Sequence, residues 1–290
     1  MGADLFESST AARETFQEAD DSLGFPLSRV IFDGPAADLQ NTVNSQPAIM
    51  TVSIAALRAW QECQDPTAVK AKAVAGHSLG EYTSLVAADV IEFSDAVRLV
   101  RKRGELMQQA SVDRPGGMAA ILGLNELAFS QICAETGVEL ANVNAENQIV
   151  ISGDKIAVAR AADLALARGA RKVVPLPVSG AFHSSLMVDA EKGLTEAMEA
   201  LQFKDPKMPI VANCDSRPLT TGGEIRQELV DGLCQCVQWK NSVRYMVDSG
   251  VSQFVEFGAG GVLASLIKRI NRDVEVATVS DSASVRKMAT

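Results

Sequence analysis

Ser78 lies in Gly76-His77-Ser78-Leu79-Gly80, a G-x-S-x-G pentapeptide. This spacing marks a nucleophile elbow, in which a serine sits on a tight turn between a strand and a helix. Glycine at both ends suits a strained turn whose neighbouring backbones pass close to the serine. A hydroxyl so placed has a helix N-terminus behind it, a positive environment for a developing oxyanion. The pentapeptide alone also fits a surface serine between two chance glycines, but its flanks favour the catalytic reading. Residues 71–75 form a short apolar run suited to a buried strand. Residues 79–88 have helical spacing, with Leu79, Tyr82, Leu85 and Val86 on one face.

A serine nucleophile needs a base within hydrogen-bond reach, and the chain has only two histidines. His77 adjoins Ser78, and on a tight turn an adjacent side chain points elsewhere. His183 lies in Ser179-Gly180-Ala181-Phe182-His183-Ser184-Ser185, after an expected strand and at the start of an expected helix. Loops at strand ends are where α/β proteins carry functional residues. His183 is therefore the candidate base, the alternative being a structural histidine. A third group should orient the imidazole. No Asp or Glu in the Ser…Asp/Glu…His order of G-x-S-x-G hydrolases stands at an obvious strand end. That gap argues against an ordinary esterase.

The elements that must position these groups alternate between strand and helix. Helices are expected over residues 10–23, from Pro47 to Cys63, and over 94–110, with the elbow strand and helix between the last two. Pro115-Gly116-Gly117 then breaks the pattern. Residues 118–122, 125–135, 138–143, 148–151, 154–168 and 172–176 read β-α-β-β-α-β, a ferredoxin-like order. This predicts a small subdomain, residues 115–177, inserted into a large α/β domain of residues 1–114 and 178–290. Helices near 184–201, 223–234, 239–248 and 262–270 and strands at 210–212, 254–256 and 274–279 complete the large domain. The expected fold is α/β, with an α/β-hydrolase-like large domain built on a mostly parallel sheet.

The 290 residues, 47% hydrophobic and 22% charged, are enough for one large domain carrying a small one. The net charge of −9 argues against nonspecific binding to nucleic acid or anionic membrane. No apolar run is long enough to span a bilayer, and the N-terminus has no signal-peptide pattern, so a cytoplasmic protein is expected. Five cysteines at spacings that match no zinc pattern predict reduced thiols and no metal site.

Further segments join the elbow and the histidine in one order: Arg103-Gly104-Glu105-Leu106-Met107, Val237-Gln238-Trp239 and Glu256-Phe257-Gly258-Ala259-Gly260. Together they resemble the malonyl-CoA:acyl carrier protein transacylases, acyltransferases of fatty-acid and polyketide synthesis. The resemblance runs through almost the whole chain. It implies that Ser78 is acylated by malonyl-CoA, with His183 as base, and that the malonyl group passes to the phosphopantetheine thiol of acyl carrier protein. It also implies a main-chain or amide carbonyl near Gln238, in place of a carboxylate, as the group that holds the imidazole. Arg103 corresponds to the arginine that pairs with the malonyl carboxylate, a planar donor suited to bidentate contact. Gln46 corresponds to a glutamine lining the pocket and Asn144 to a loop asparagine near the acyl group; either residue type also serves as a cap. Phe182 corresponds to the malonyl-selecting form of its motif, and the Leu79 N–H to an oxyanion donor.

No tightly bound cofactor is implied, and a monomer is expected. Arg171, Lys172, Lys268 and Arg269, with Arg168 and Arg272, are candidate docking charges for an acidic carrier protein; the alternative is a solvated surface. The resemblance places one more strand and a Gly-Gln-Gly-x-Gln loop ahead of Gly2, so a truncated start is expected. Ala259 and Gly261 stand where the family often has Pro and Lys. The competing readings are a serine hydrolase or thioesterase and a catalytically impaired homologue that binds carrier protein.

Overall fold

The computed structural model describes residues 1–64 and 71–288. The described residues form nine strands: β1 (Val74–Ala75), β2 (Gly116–Leu122), β3 (Glu139–Ala145), β4 (Gln148–Asp154), β5 (Lys172–Pro175), β6 (Ile210–Val211), β7 (Pro218–Leu219), β8 (Gln253–Phe257) and β9 (Glu275–Val279). Helices cover them, which makes the protein mixed α/β. Among the described residues no helix is long and apolar enough to cross a membrane.

The expected mostly parallel sheet forms as two separate pieces. β1 pairs parallel with β6, and β6 pairs antiparallel with β7. β8 and β9 pair parallel with each other in a separate sheet. No described strand joins the two pieces, and β1, β6 and β7 are only two residues long. Helices hold the pieces together instead. Ser53, in the helix Thr42–Glu62, packs so close to Gly258 that a Cβ there would lie 2.3 Å from its Oγ.

β2 to β5 form the third sheet, antiparallel throughout, in the order β3-β4-β2-β5. The helices Glu126–Thr136 and Lys155–Ala167 connect β2 to β3 and β4 to β5. Gly116 and Gly117 belong to β2 rather than breaking the chain before it. At Gly116 a Cβ would lie 2.5 Å from that of Ala181, so glycine lets this sheet close onto the loop that carries His183. The edge strand β3 also bonds through its backbone to the segment just ahead of the helix Trp239–Asp248. Val143 N–H donates to Val237 O and Val237 N–H to Ala141 O, both at 2.9 Å.

The helix Thr42–Glu62 starts five residues before Pro47, the position expected for its first turn, because Asn41 caps it through Val43 N–H at 3.0 Å. Proline inside a helix leaves the carbonyl four residues back without its donor. That carbonyl, Val43 O, accepts from Arg101 Nη1 at 3.3 Å. Arg101 lies on the helix Phe93–Asp113, which packs against Thr42–Glu62. At Gly104 a Cβ would stand 2.8 Å from Thr42 O. This close crossing brings neighbouring Arg103 against Gln46.

Candidate active site

The elbow forms between β1 and the helix Leu79–Ala87. Ser78 has φ 51° and ψ −103°, a positive φ rare for a residue with a side chain. Such a conformation costs roughly 1–3 kcal/mol and persists only where its surroundings fix it. The two glycines of the motif differ in purpose. At Gly76 a Cβ would lie 1.9 Å from Gly80 C, whereas at Gly80 a Cβ would meet nothing within 4 Å. The motif thus needs Gly76 for close approach, while the strain is held by Ser78 itself.

Ser78 Oγ lies 2.8 Å from His183 Nε2. Arg103 Nη2 donates to the same oxygen at 3.1 Å. The hydroxyl can therefore give its proton to the imidazole while a guanidinium stabilises the charge left on it. His183 is buried and also has a positive φ, 56°. Burial first, then the positive Arg103 and the nearby His77, lower its pKa to about 3. The ring is consequently neutral near pH 7 and free to take a proton.

The third group is a main-chain carbonyl, though not one at the expected place. Gly232 O lies 2.8 Å from His183 Nδ1. An N–H at Nδ1 donating to that oxygen leaves Nε2 as the acceptor facing Ser78. Gln238 does not hold the imidazole. Its Oε1 accepts from Asn241 Nδ2 at 3.0 Å, and its backbone N–H donates to Asn213 O at 2.7 Å. The sequence carried no sign of Gly232, because an orienting backbone carbonyl leaves no trace in residue type.

Arg103 is 3% exposed, with its guanidinium 5.2 Å from the ring centroid of Tyr82. Nη1 donates to Gln46 Oε1. Gln46 Nε2 is held in turn by Thr42 Oγ1 at 2.9 Å. Arg103 Nε is buried with no hydrogen-bond partner among the described residues. Leu79 opens its helix, so its N–H has no acceptor within the helix and stands beside Ser78. Phe182 packs half-buried against two core clusters next to His183.

Asn144 lies in β3 rather than in a loop. Its Oδ1 is 2.8 Å from His77 Nε2, and burial lowers the pKa of that histidine. His77 thus joins the elbow to the small sheet. Asn213 is a further residue of the site, one that no motif in the sequence marks. It follows β6, and its Oδ1 accepts Ser78 N–H at 2.7 Å. Its place just beyond a buried strand was the available signal.

Among the docking candidates, Arg171 and Lys172 are exposed where β5 begins beside the end of β2. Lys268 Nζ donates to Val274 O at 2.6 Å, and Arg269 Nη1 to Gln148 Oε1 at 2.7 Å. Arg168 pairs with Glu135, while Arg272 is exposed.

The family model described as acyl transferase domain matches residues 1–289. The malonyl CoA-acyl carrier protein transacylase of Bacillus subtilis is 41% identical over 290 residues, covering 98% of this chain and 90% of its own. That of Escherichia coli K12 is 43% identical over 275 residues, 93% of this chain and 88% of its own. The crystal structure of the acyl-carrier-protein S-malonyltransferase of Bartonella henselae superposes with TM-score 0.95 at 38% identity, covering 100% of this chain and 95% of that one. A malonyl-transacylase solved in complex with a type II PKS acyl-carrier protein also reaches 0.95 at 38% identity, covering 100% and 94%.

Proposed function

The chain belongs to the acyl transferase domain family, and on that premise we propose that it moves a malonyl group from malonyl-CoA to the phosphopantetheine thiol of an acyl carrier protein. The observation that carries this reading is the double engagement of Ser78 Oγ, by His183 Nε2 at 2.8 Å and Arg103 Nη2 at 3.1 Å. A hydrolase needs the first contact. A buried guanidinium beside the nucleophile suits an acyl group that ends in a carboxylate.

Ser78 Oγ attacks the malonyl thioester carbonyl as its proton passes to His183 Nε2. The oxyanion is met by the Leu79 N–H at the helix start. The C–S bond breaks, and coenzyme A leaves with the proton from the imidazole. The carrier thiol then gives its proton to His183 and attacks the malonyl-Ser78 ester. The C–O bond breaks, Oγ recovers the proton, and the enzyme is regenerated. Gly232 O keeps Nδ1 protonated through both halves. Arg103, backed by Gln46, holds the malonyl carboxylate, while Phe182 and Asn144 border the acyl site.

We read residues 115–177 as a ferredoxin-like subdomain inserted into an α/β-hydrolase-like domain of residues 1–114 and 178–290. The strand order β3-β4-β2-β5 supports this. The reading also takes the protein as a cytoplasmic monomer without a bound cofactor. Arg171, Lys172, Lys268 and Arg269 are proposed to face the carrier protein.

Intact-protein mass after brief exposure to malonyl-CoA tests the reading, with Ser78→Ala as control. One malonyl adduct, absent from the control and discharged by holo-carrier protein, is expected. Discharge as free malonate instead would make the protein a hydrolase.

A further inference from the structure

Beneath the elbow lies a buried polar network that takes no part in the steps above. Asn213, 3% exposed, grips the turn at two points. Its Oδ1 accepts Ser78 N–H, and its Nδ2 donates to Gly76 O, both at 2.7 Å. The amide therefore spans the strained residue and the residue two before it. Glu81, one turn into the following helix and also 3% exposed, fixes the amide. Its Oε1 accepts from Asn213 N–H and from Asn213 Nδ2, both at 3.0 Å. A carboxyl oxygen of Glu81 on one side and the Ser78 N–H on the other leave the amide one orientation, with oxygen toward Ser78.

The same loop is held from a second direction. Glu228, on the helix Gly222–Asp231, accepts Cys214 N–H at 2.8 Å. The carbonyl of Glu228 accepts Gly232 N–H at 2.8 Å, and Gly232 O is the atom that orients His183. Residues 213 and 214 thus lie between the helix that begins at the nucleophile and the helix that ends at the support of the base.

We infer that Asn213, locked by Glu81, is a positioning residue that holds the Ser78 backbone in its strained form and so keeps Oγ in reach of His183. The inference rests on Ser78 being the acylated nucleophile. Misplacing a reacting group by about 1 Å costs on the order of 10²-fold in rate. A positioning role therefore acts on turnover and leaves substrate affinity alone.

The test is single-turnover acylation by malonyl-CoA, read by mass, with thermal unfolding of each protein alongside. Asn213→Ala should acylate about 10²-fold more slowly at saturation, with half-saturation by malonyl-CoA within about threefold of wild type. Glu81→Ala, which leaves Asn213 in place but frees its amide, should slow acylation at least tenfold, and Glu81→Gln should restore the rate to within about threefold, because an amide oxygen can accept the same two N–H groups. If folded Asn213→Ala acylates at the wild-type rate, the inference is wrong. Should Asn213→Ala not fold, a wild-type rate in Glu81→Ala overturns it equally. Lower melting temperatures without slower acylation would reduce the network to a structural role. Failure of the wild-type protein itself to form the Ser78 adduct would overturn the proposed function, an outcome distinct from any of these.

Discussion

Arg103 Nη2 donates to Ser78 Oγ at 3.1 Å, so the residue proposed to receive the substrate carboxylate is already bonded to the nucleophile. The guanidinium is buried and backed by Gln46 and the Tyr82 ring. Removing it should cost malonyl-CoA about 10²-fold or more in kcat/KM, the usual scale for losing one partner of a buried charged pair. Acetyl-CoA has no carboxylate to lose and should fall by less than about tenfold. Parallel rates for the two thioesters with Arg103→Ala check this. The malonyl-Ser78 ester of the variant should also hydrolyse faster than wild type; hydrolysis no faster would show that Arg103 does not protect the ester from water.

His183 should work as a base far into acid. Its pKa is lowered to about 3, by burial first and then by Arg103 and His77. An ordinary imidazole near 6.5 would be mostly protonated at pH 5 and would lose about thirtyfold in base-dependent rate. Single-turnover acylation by the wild-type protein should instead stay nearly level from pH 7 to pH 5. Arg103→Gln removes one of the lowering charges, so its acid limb should move to higher pH. A wild-type limb centred near 6.5 would mean that the imidazole is not desolvated in the working enzyme.

The elbow glycines offer a contrast. Gly76→Ala places a methyl 1.9 Å from Gly80 C, against backbone that cannot yield, and should abolish acylation and lower the melting temperature. Gly80→Ala enters open space on a helix, where alanine gains up to about 1 kcal/mol over glycine. Its melting temperature should equal or exceed that of wild type. Thermal unfolding of both variants decides the matter, and a destabilised Gly80→Ala would contradict it.

How much of the site could be read in the sequence depended on whether a function sat in a residue type. Ser78 was legible because the elbow needs a local pattern, and His183 because the chain has only one other histidine. The Gly232 carbonyl was not legible, since any residue can present a backbone oxygen there, and Gln238 was expected only because Val237-Gln238-Trp239 resembles the family's segment. Asn213 acts through a contact 135 residues away in sequence, and no local spacing encodes such a contact. In the fold, Pro47 misled for a related reason. A proline marks a first turn when nothing else serves the orphaned carbonyl, and here Arg101 from another helix serves Val43 O. The order of elements in the small sheet was readable, because each strand and helix there keeps its own period. The division of the large sheet into two pieces was not, because strands of two residues have no period to read.

Arg171 and Lys172 should matter to the carrier protein and not to coenzyme A. Both are exposed. Exposed rim charges steer association more than they hold a complex. Replacing both with Glu should raise the KM for carrier protein by roughly tenfold, in a manner that fades with added salt, and leave the KM for malonyl-CoA unchanged. Initial rates with each substrate varied in turn are the check. Equal changes in both KM values would place these charges outside any docking face.

Glu81 ties the network under the elbow to the pH dependence of stability. Its pKa is raised well above the ordinary 4.5, by burial first and then by the neighbouring Glu228. The folded protein therefore holds this proton more tightly than the unfolded chain does. By linkage, the stability due to the group is fully present below about 4.5, where both states are protonated, and is lost as pH rises toward the elevated folded value. Glu81→Gln cannot titrate and keeps an oxygen for the two Asn213 donors. Its melting temperature relative to wild type should climb as pH rises above about 4.5 and level off once the folded wild-type group has ionised. A difference that stays flat from pH 4 to pH 8 would show that Glu81 ionises as easily in the folded protein as in the unfolded chain. Asn213 would then be held by a charged carboxylate rather than a neutral carboxylic acid.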